Sequence, residues 1–345
     1  FILPCMSHSQ PAADSTRSAA HPWELLTPQR RIQGISAILL PFDAAGFVDF
    51  TGFAEHVKRT AAAGIVPAVN MDTGYGHLIG EATRRQVLVT AREAVGPAAG
   101  KPFGGLVAGA CVVDGEGDAF DEVAYAQQLA MITEAEATPV IFPSWGLNSG
   151  SDADVIGRLA TLAGHTSHFI GFELAKAFHP AGRVLSLEAY AELMAMPTCL
   201  GAKHSSLSRR LEWDRLALRN RTRPDFHVFT GNDLAIDMVR YGSDWLLGLS
   251  TAWPEAFALR DAWWAAGDRR FDELDDALQA LGDFAFRWPV PAYKHSMAQF
   301  LHLRGLIGCD ATHSQSLPRP ESDREILAGL RDRIDAAMGA TPEAH

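Results

Sequence analysis

Long apolar runs are missing from this chain. None reaches the ~18 residues that a membrane-spanning helix needs, so no helical membrane anchor is expected. Cysteine is scarce: Cys5, Cys111, Cys199 and Cys309 lie far apart, and no pair has the short spacing of a zinc knuckle or a redox motif. Cys111 and Cys199 sit inside apolar runs and are expected as small buried hydrophobes in a reduced, cytoplasmic protein. Basic residues are outnumbered, with 30 Lys+Arg against 41 Asp+Glu and a formal net charge of −11. Such a surface repels phosphate backbones and anionic headgroups, which argues against nucleic acid and membrane as partners. A composition of 47% hydrophobic and 21% charged residues excludes disordered and coiled-coil classes. Phe1–Cys5 lacks the basic lead of a secretory signal, and Met6 is expected as the natural start. Ser7–Ala20, rich in Ser, Ala, Pro and Gln, reads as a loose tail.

A rhythm begins at Gly34. Short apolar segments alternate with longer ones of helical period. Strands are predicted at Gly34–Leu40, Ile65–Met71, Gly105–Val112, Pro139–Pro143, His168–Glu173, Thr198–Lys203, His227–Thr230 and Trp245–Leu249. A helical segment follows each, such as Phe50–Ala63, Glu81–Val95, Leu234–Tyr241 and Pro254–Ala266. Strict alternation points to a parallel sheet with helical crossovers. Eight such units suit an α/β fold closed as a TIM (β/α)8 barrel, typically about 250 residues long. A doubly wound open sheet usually shows a Gly-rich turn after its first strand, and none follows Leu40. Beyond Gly267 only helices are predicted, over Arg270–Arg287, Ala292–Gly305 and Ser322–Met338. The expected organisation is a flexible tail over 1–30, the barrel over 31–267, and a C-terminal helical extension over 268–345 packed on the barrel.

Catalytic groups of such barrels project from the C-terminal strand ends. Lys203 stands out there, because it closes the apolar segment Thr198–Lys203 and its ammonium should point into the barrel mouth. Partial desolvation lowers a lysine's pKa, and the neutral amine can then attack a carbonyl to form a Schiff base. A lysine that merely snorkels from a strand end is the competing reading.

The Gly201-Ala202-Lys203-His204-Ser205-Ser206 segment resembles the lysine strand of the dihydrodipicolinate synthase / N-acetylneuraminate lyase family of class I aldolases. Other landmarks fall in the same order. Leu40-Pro41-Phe42 with Val48-Asp49 is similar to the family's opening motif, and Asp72-Thr73-Gly74 followed by Glu81-Ala82-Thr83-Arg84 to its second-strand turn. Thr230-Gly231-Asn232-Asp233, Pro291-Ala292-Tyr293-Lys294, Gly305-Leu306 and Leu317-Pro318-Arg319-Pro320 continue the match to the C-terminal region. The resemblance implies a Schiff-base lyase, an aldolase or dehydratase. It would act on pyruvate or another 2-oxo acid or sugar acid, as a homotetramer or homodimer with no cofactor and no metal. It gives Lys203 the Schiff-base role, Thr73 and Gly74 a share in the carboxylate cradle, and Leu247 a place on the pocket wall. Trp145 stands where the family often carries an aromatic near the site, though a loop tryptophan packed on a neighbour accounts for it equally.

The departures bear on mechanism. The family's strand-5 tyrosine, which relays protons, is matched here by Phe172-Glu173. Asp72 replaces the first of two threonines, and Tyr75 the acid after the glycine. Asp72, Glu173 or Tyr75 is therefore expected to take over acid–base duty, a carboxylate beside an iminium being electrostatically favourable. The arginine that lysine-biosynthetic members use has no match, and Lys176 and Arg183 are the nearby cations offered instead. Two rival readings stand beside the lyase. One is a metal-dependent barrel lyase built on Asp72, Glu173 and Asp233; the other is a non-catalytic barrel that binds 2-oxo acids.

Overall fold

The computed structural model describes residues 21–339. The expectations for Phe1–Cys5, Met6 and Ser7–Ala20 lie outside the described residues. The elements run β1 (Gly34–Ala37), α1 (Phe50–Ala62), β2 (Val66–Val69), α2 (Glu81–Val95), β3 (Val107–Ala110), α3 (Glu122–Glu134), β4 (Thr138–Ile141), α4 (Trp145–Asn148), α5 (Asp152–Ala163), β5 (Phe169–Leu174), α6 (Leu187–Ala195), β6 (Cys199–Ser205), α7 (Arg209–Thr222), β7 (His227–Thr230), β8 (Asp244–Leu247), α8 (Pro254–Ala266), α9 (Arg270–Ala285), α10 (Tyr293–Leu303) and α11 (Asp323–Met338). The strands pair in parallel in chain order and β1 closes on β8, which makes an eight-stranded barrel. No helix among the described residues is long and apolar enough to cross a membrane.

Strands with a period of two serve two cores. Ile35, Ala68, Val107, Val140, Ile170, Phe229 and Leu246 fill the barrel interior. Val69, Ala108, Ile141, Phe169, Ala202, Val228 and Leu247 pack outward under the helices. This double burial is why the strands read as near-continuous apolar runs. Helix starts follow the local chemistry. Asp49 Oδ1 accepts from the Gly52 N–H at 2.9 Å, and Asp121 and Ser151 cap α3 and α5 in the same way.

Three expectations change. The first strand is paired only to Ala37, because the Leu39 N–H turns out of the sheet to Thr251 Oγ1 at 2.9 Å. The helix expected over Leu234–Tyr241 is a 3₁₀ segment, Ile236–Tyr241, ended by Gly242 in the left-handed region. Residues 22–30, expected within a loose tail, are packed against the barrel bottom. Leu25 is buried, the Thr27 N–H donates to Arg240 O at 2.9 Å, and Arg30 pairs with Asp244 at 2.9 Å.

The helices beyond α8 position the site. Buried Arg260 of α8 pairs with Asp261 at 2.7 Å and with Asp275 of α9 at 3.2 Å, so the extension is locked to the barrel wall. The first residues of α10 then reach the barrel mouth.

Candidate active site

β6 alternates. Lys203 and Ser205 face the barrel interior at its C-terminal end, whereas Ala202 and His204 face the helix layer. Lys203, Ser205, Phe172, Leu174, Asp72, Thr73, Asp233 and Gly248 all border one cavity of about 250 Å³. Lys203 is buried, its Nζ stands 4.7 Å from the Phe172 ring centroid, and among the described residues no carboxylate pairs with it. Burial lowers its pKa, while Asp233 and Asp72, acting at a distance, partly oppose the shift. Gly231 makes room for this amine: a Cβ there would lie 2.2 Å from Ser205 Oγ and 2.7 Å from Lys203 Cε.

Asp233 is another titratable group of the cavity, for which the sequence suggested a role only as a metal ligand. Burial pushes its carboxyl up to about 6; the Leu249 N–H, 2.7 Å from Oδ1, and Lys203 hold it back from rising further. An acid titrating near neutrality beside a desolvated amine is the pairing that proton-transfer chemistry uses. It also sets a pH dependence. The amine reacts when neutral, so adduct formation rises with pH until Lys203 is deprotonated. Ionised Asp233 raises the Lys203 pKa, so Asp233→Asn is expected to move the midpoint of that rise to lower pH. Borohydride-trapping rates measured across the neutral and alkaline range check this, and an unmoved midpoint would separate the two groups electrostatically.

Asp72 lies at the mouth with 41% of its side chain exposed. Burial would raise its pKa, but the Lys294 ammonium, His77 and the hydrogen bonds from Lys294 and Tyr293 outweigh that and hold it well below the usual carboxylate range. Lys294 Nζ donates to Oδ1 at 2.9 Å and Tyr293 Oη to Oδ2 at 2.8 Å. Thr73 Oγ1 meets Tyr293 Oη at 3.0 Å. Gly248 permits this approach, since a Cβ there would sit 2.9 Å from Thr73 Oγ1 and 3.2 Å from the Tyr293 ring.

Several expected site residues lie elsewhere. Glu173 follows Phe172 on β5 and so points to the opposite face, behind the barrel wall. There it accepts from Arg215 at 2.6 Å through both oxygens, from His204 Nδ1 at 2.8 Å and from the Leu185 N–H at 2.9 Å. Burial would raise its pKa, but His204 and Arg215 bring it down to about 2. It is a structural anion, out of reach of the cavity. Leu247 faces the outer core for the same reason of parity, and its neighbour Gly248 borders the cavity. Tyr75, at φ 58°, has a fully buried ring packed on Phe42 and His313, and it does not border the cavity. Gly74 spends its N–H on Met71 O at 3.1 Å, so that group is committed within the turn and is not free for a carboxylate. Trp145 opens α4 with its N–H on Asp114 at 2.8 Å and does not border the cavity. Arg183 is held by Asp152 at 2.8 Å and by the Asn148 and Gly150 carbonyls, and with Lys176 it lines a separate surface groove.

The metal reading needs Asp72, Glu173 and Asp233 to converge. Glu173 lies behind the wall, and among the described residues no three His, Cys, Asp or Glu side chains form a metal-holding group. Further cavity walls come from residues that no sequence motif singled out: Phe142, Phe178 and His179 from the barrel loops, and Phe286 and Val290 before α10; Pro291, from the matched Pro291–Lys294 segment, joins them. His77, from the loop after β2, also borders it.

No protein-family profile matches this chain, and no curated protein is similar to it in sequence. Solved structures share the fold. A monomeric dihydrodipicolinate synthase variant superposes with a TM-score of 0.74 at 18% identity, covering 89% of this chain and 97% of that one. Dihydrodipicolinate synthase from Thermotoga maritima gives 0.72 at 18% identity, covering 89% and 99%. A sialic acid aldolase catalytic-lysine mutant from Ruminococcus gnavus gives 0.71 at 15% identity, covering 89% and 96%. The match to complete chains of these proteins includes the helices beyond the barrel, which fixes the architecture as a TIM barrel with a helical extension.

Proposed function

We propose that this protein is a divergent member of the dihydrodipicolinate synthase / N-acetylneuraminate lyase family and works as a Schiff-base lyase on a 2-oxo acid. The observation that carries the reading is Lys203: a buried amine at the C-terminal mouth of a (β/α)8 barrel, with no carboxylate paired to it among the described residues and with Asp233 bordering the same cavity. The neutral amine attacks the ketone carbon, and loss of water leaves an iminium. That cation withdraws electrons from the neighbouring carbon, so an adjacent C–C or C–O bond can break.

The same cavity argues against the lysine-biosynthetic reaction. Among the described residues its lysines are Lys203 and Lys294, and no arginine borders it. Its lining mixes the apolar side chains of Phe142, Phe172, Phe178, Phe286, Val290 and Pro291 with polar ones such as Asp72, His77, His179, Ser205 and Asp233. The apolar side gains free energy by covering apolar groups, at roughly 25 cal/mol per Å² removed from water. In this reading the apolar side receives an alkyl or ring-bearing group of the substrate, and a sugar acid is the alternative that the polar side chains would serve. A homotetramer or homodimer and a cytoplasmic setting belong to the same reading.

The test is reduction with borohydride in the presence of pyruvate, 2-oxobutanoate and a 2-oxo acid bearing a phenyl ring. The intact mass should rise by that of one acid less one oxygen, with the apolar acids competing best. No mass shift with any of them, together with unchanged binding by calorimetry, would favour the non-catalytic barrel.

A further inference from the structure

The family-like tyrosine is missing from strand 5, yet a phenol does reach this cavity. Among the described residues, Tyr293 is the tyrosine that borders it, and it comes from the first turn of α10, outside the barrel. Its ring is fixed on one side by Phe286, stacked at 4.3 Å between centroids, and on another by the Gly248 backbone. Its hydroxyl donates to Asp72 Oδ2 at 2.8 Å. With that hydrogen committed, the 3.0 Å contact to Thr73 Oγ1 is one in which Thr73 donates and the phenol oxygen accepts. Lys294 holds the other oxygen of Asp72 at 2.9 Å. The four groups thus form a continuous polar chain from the mouth, where Asp72 is 41% exposed, to the cavity that Lys203 enters.

We infer that Tyr293 is a catalytic residue, carrying the proton between C3 of the lysine-bound 2-oxo acid and Asp72, with Thr73 and Lys294 as positioning residues. The inference rests on the Schiff-base reading of Lys203. In the step, the C3–H bond of the iminium breaks and its proton passes to Tyr293 Oη. The phenol's own hydrogen moves to Asp72 Oδ2. The C3–H electron pair becomes the C2–C3 double bond, and the C=N pair returns to nitrogen, which leaves a neutral enamine. Charge balances: the iminium cation and the Asp72 anion are both neutralised. Because the two transfers are coupled, Tyr293 never becomes the phenolate that burial and Asp72 disfavour. Asp72 then returns its proton to water at the mouth.

Pyruvate in D2O provides the assay, because Lys203-dependent enamine formation exchanges its methyl hydrogens, read by proton NMR. Borohydride trapping under the same conditions reports the iminium separately. Tyr293→Phe is expected to keep trapping within a few-fold of the parent while slowing exchange by about 10²- to 10⁴-fold, the usual range for a positioned acid or base. Asp72→Asn keeps an acceptor for the phenol but cannot take its proton, so it should slow exchange likewise with trapping preserved. This second variant decides the matter should Tyr293→Phe fail to fold. Exchange at the parental rate in either folded variant would overturn the role given to Tyr293. A parent protein that neither traps nor exchanges would instead remove the Schiff-base reading on which it rests.

Discussion

Lys203→Met is expected to abolish the borohydride-trapped adduct and to lower turnover on the order of 10⁶-fold, the scale seen when an enzyme loses its covalent nucleophile. Fold stability should change little or rise. Met fills much of the same volume, and the substitution removes a buried, unpaired amine that folding had to desolvate. The two readouts therefore diverge, and their divergence is informative. A variant that lost activity by unfolding would lose its urea midpoint as well; this one should keep it. Residual adduct formation in Lys203→Met would mean that another amine, such as Lys294 in the same cavity, carries the chemistry.

Glu173→Gln should do the reverse. Its carboxylate is 1% exposed and binds buried Arg215 through both oxygens and His204 through one. Removing the anion leaves Arg215 uncompensated in the wall between β5 and α7, a defect worth about 3–5 kcal/mol. The urea midpoint should fall accordingly, while borohydride trapping per folded molecule survives. The same pair makes the fold sensitive to acid. The folded-state pKa of Glu173 is lowered to about 2 from an unfolded value of 4.5. Its contribution is then fully present above pH 4.5 and is lost as pH falls through that interval toward 2. Trapping that disappeared in a fully folded Glu173→Gln variant would place this carboxylate in the chemistry after all, against its position behind the barrel wall.

The barrel was legible because strands buried on both faces alternate with helical segments, of which only the one between β7 and β8 shortens to a 3₁₀ turn among the described residues. Lys203 was legible because it ends one of those strands. Where the sequence reading failed, single residues decide why. Phe172 and Glu173 were both assigned to the site, yet adjacent residues of a strand face opposite sides, so one of them had to point away. The parity argument that sends His204 outward next to Lys203 applies equally to β5. Leu247 fails by the same single step. A family-like motif locates a strand end to within a residue, and a period of two turns that residue into the opposite face. Tyr75 was lost to a turn whose positive φ no pattern announces. Lys176 and Arg183 lie on the loop after β5, where local bonds to Asp152, Asn148 and Gly150 hold Arg183 off the mouth.

Tyr293 was missed for a different reason. It is separated by more than two hundred residues from Asp72 and Thr73, which it touches, and only tertiary packing joins them. A signal was present, because the Pro291–Lys294 segment was matched as a motif and lies where a helix begins. Reading it as a source of a phenol required knowing that the extension folds back over the barrel mouth. One part of the cavity wall shares this origin, since Phe286, Val290 and Pro291 belong to the same fold-back.

Two lysines enter one cavity, and they differ in their partners: Lys294 is paired with Asp72, whereas no carboxylate among the described residues pairs with Lys203. Peptide mapping of the borohydride-reduced protein after incubation with a 2-oxo acid distinguishes them. The modification should sit on Lys203 alone, with Lys294 unmodified. An adduct on Lys294, or a reduced protein carrying none, would contradict the assignment of Lys203 as the carbonyl-attacking amine.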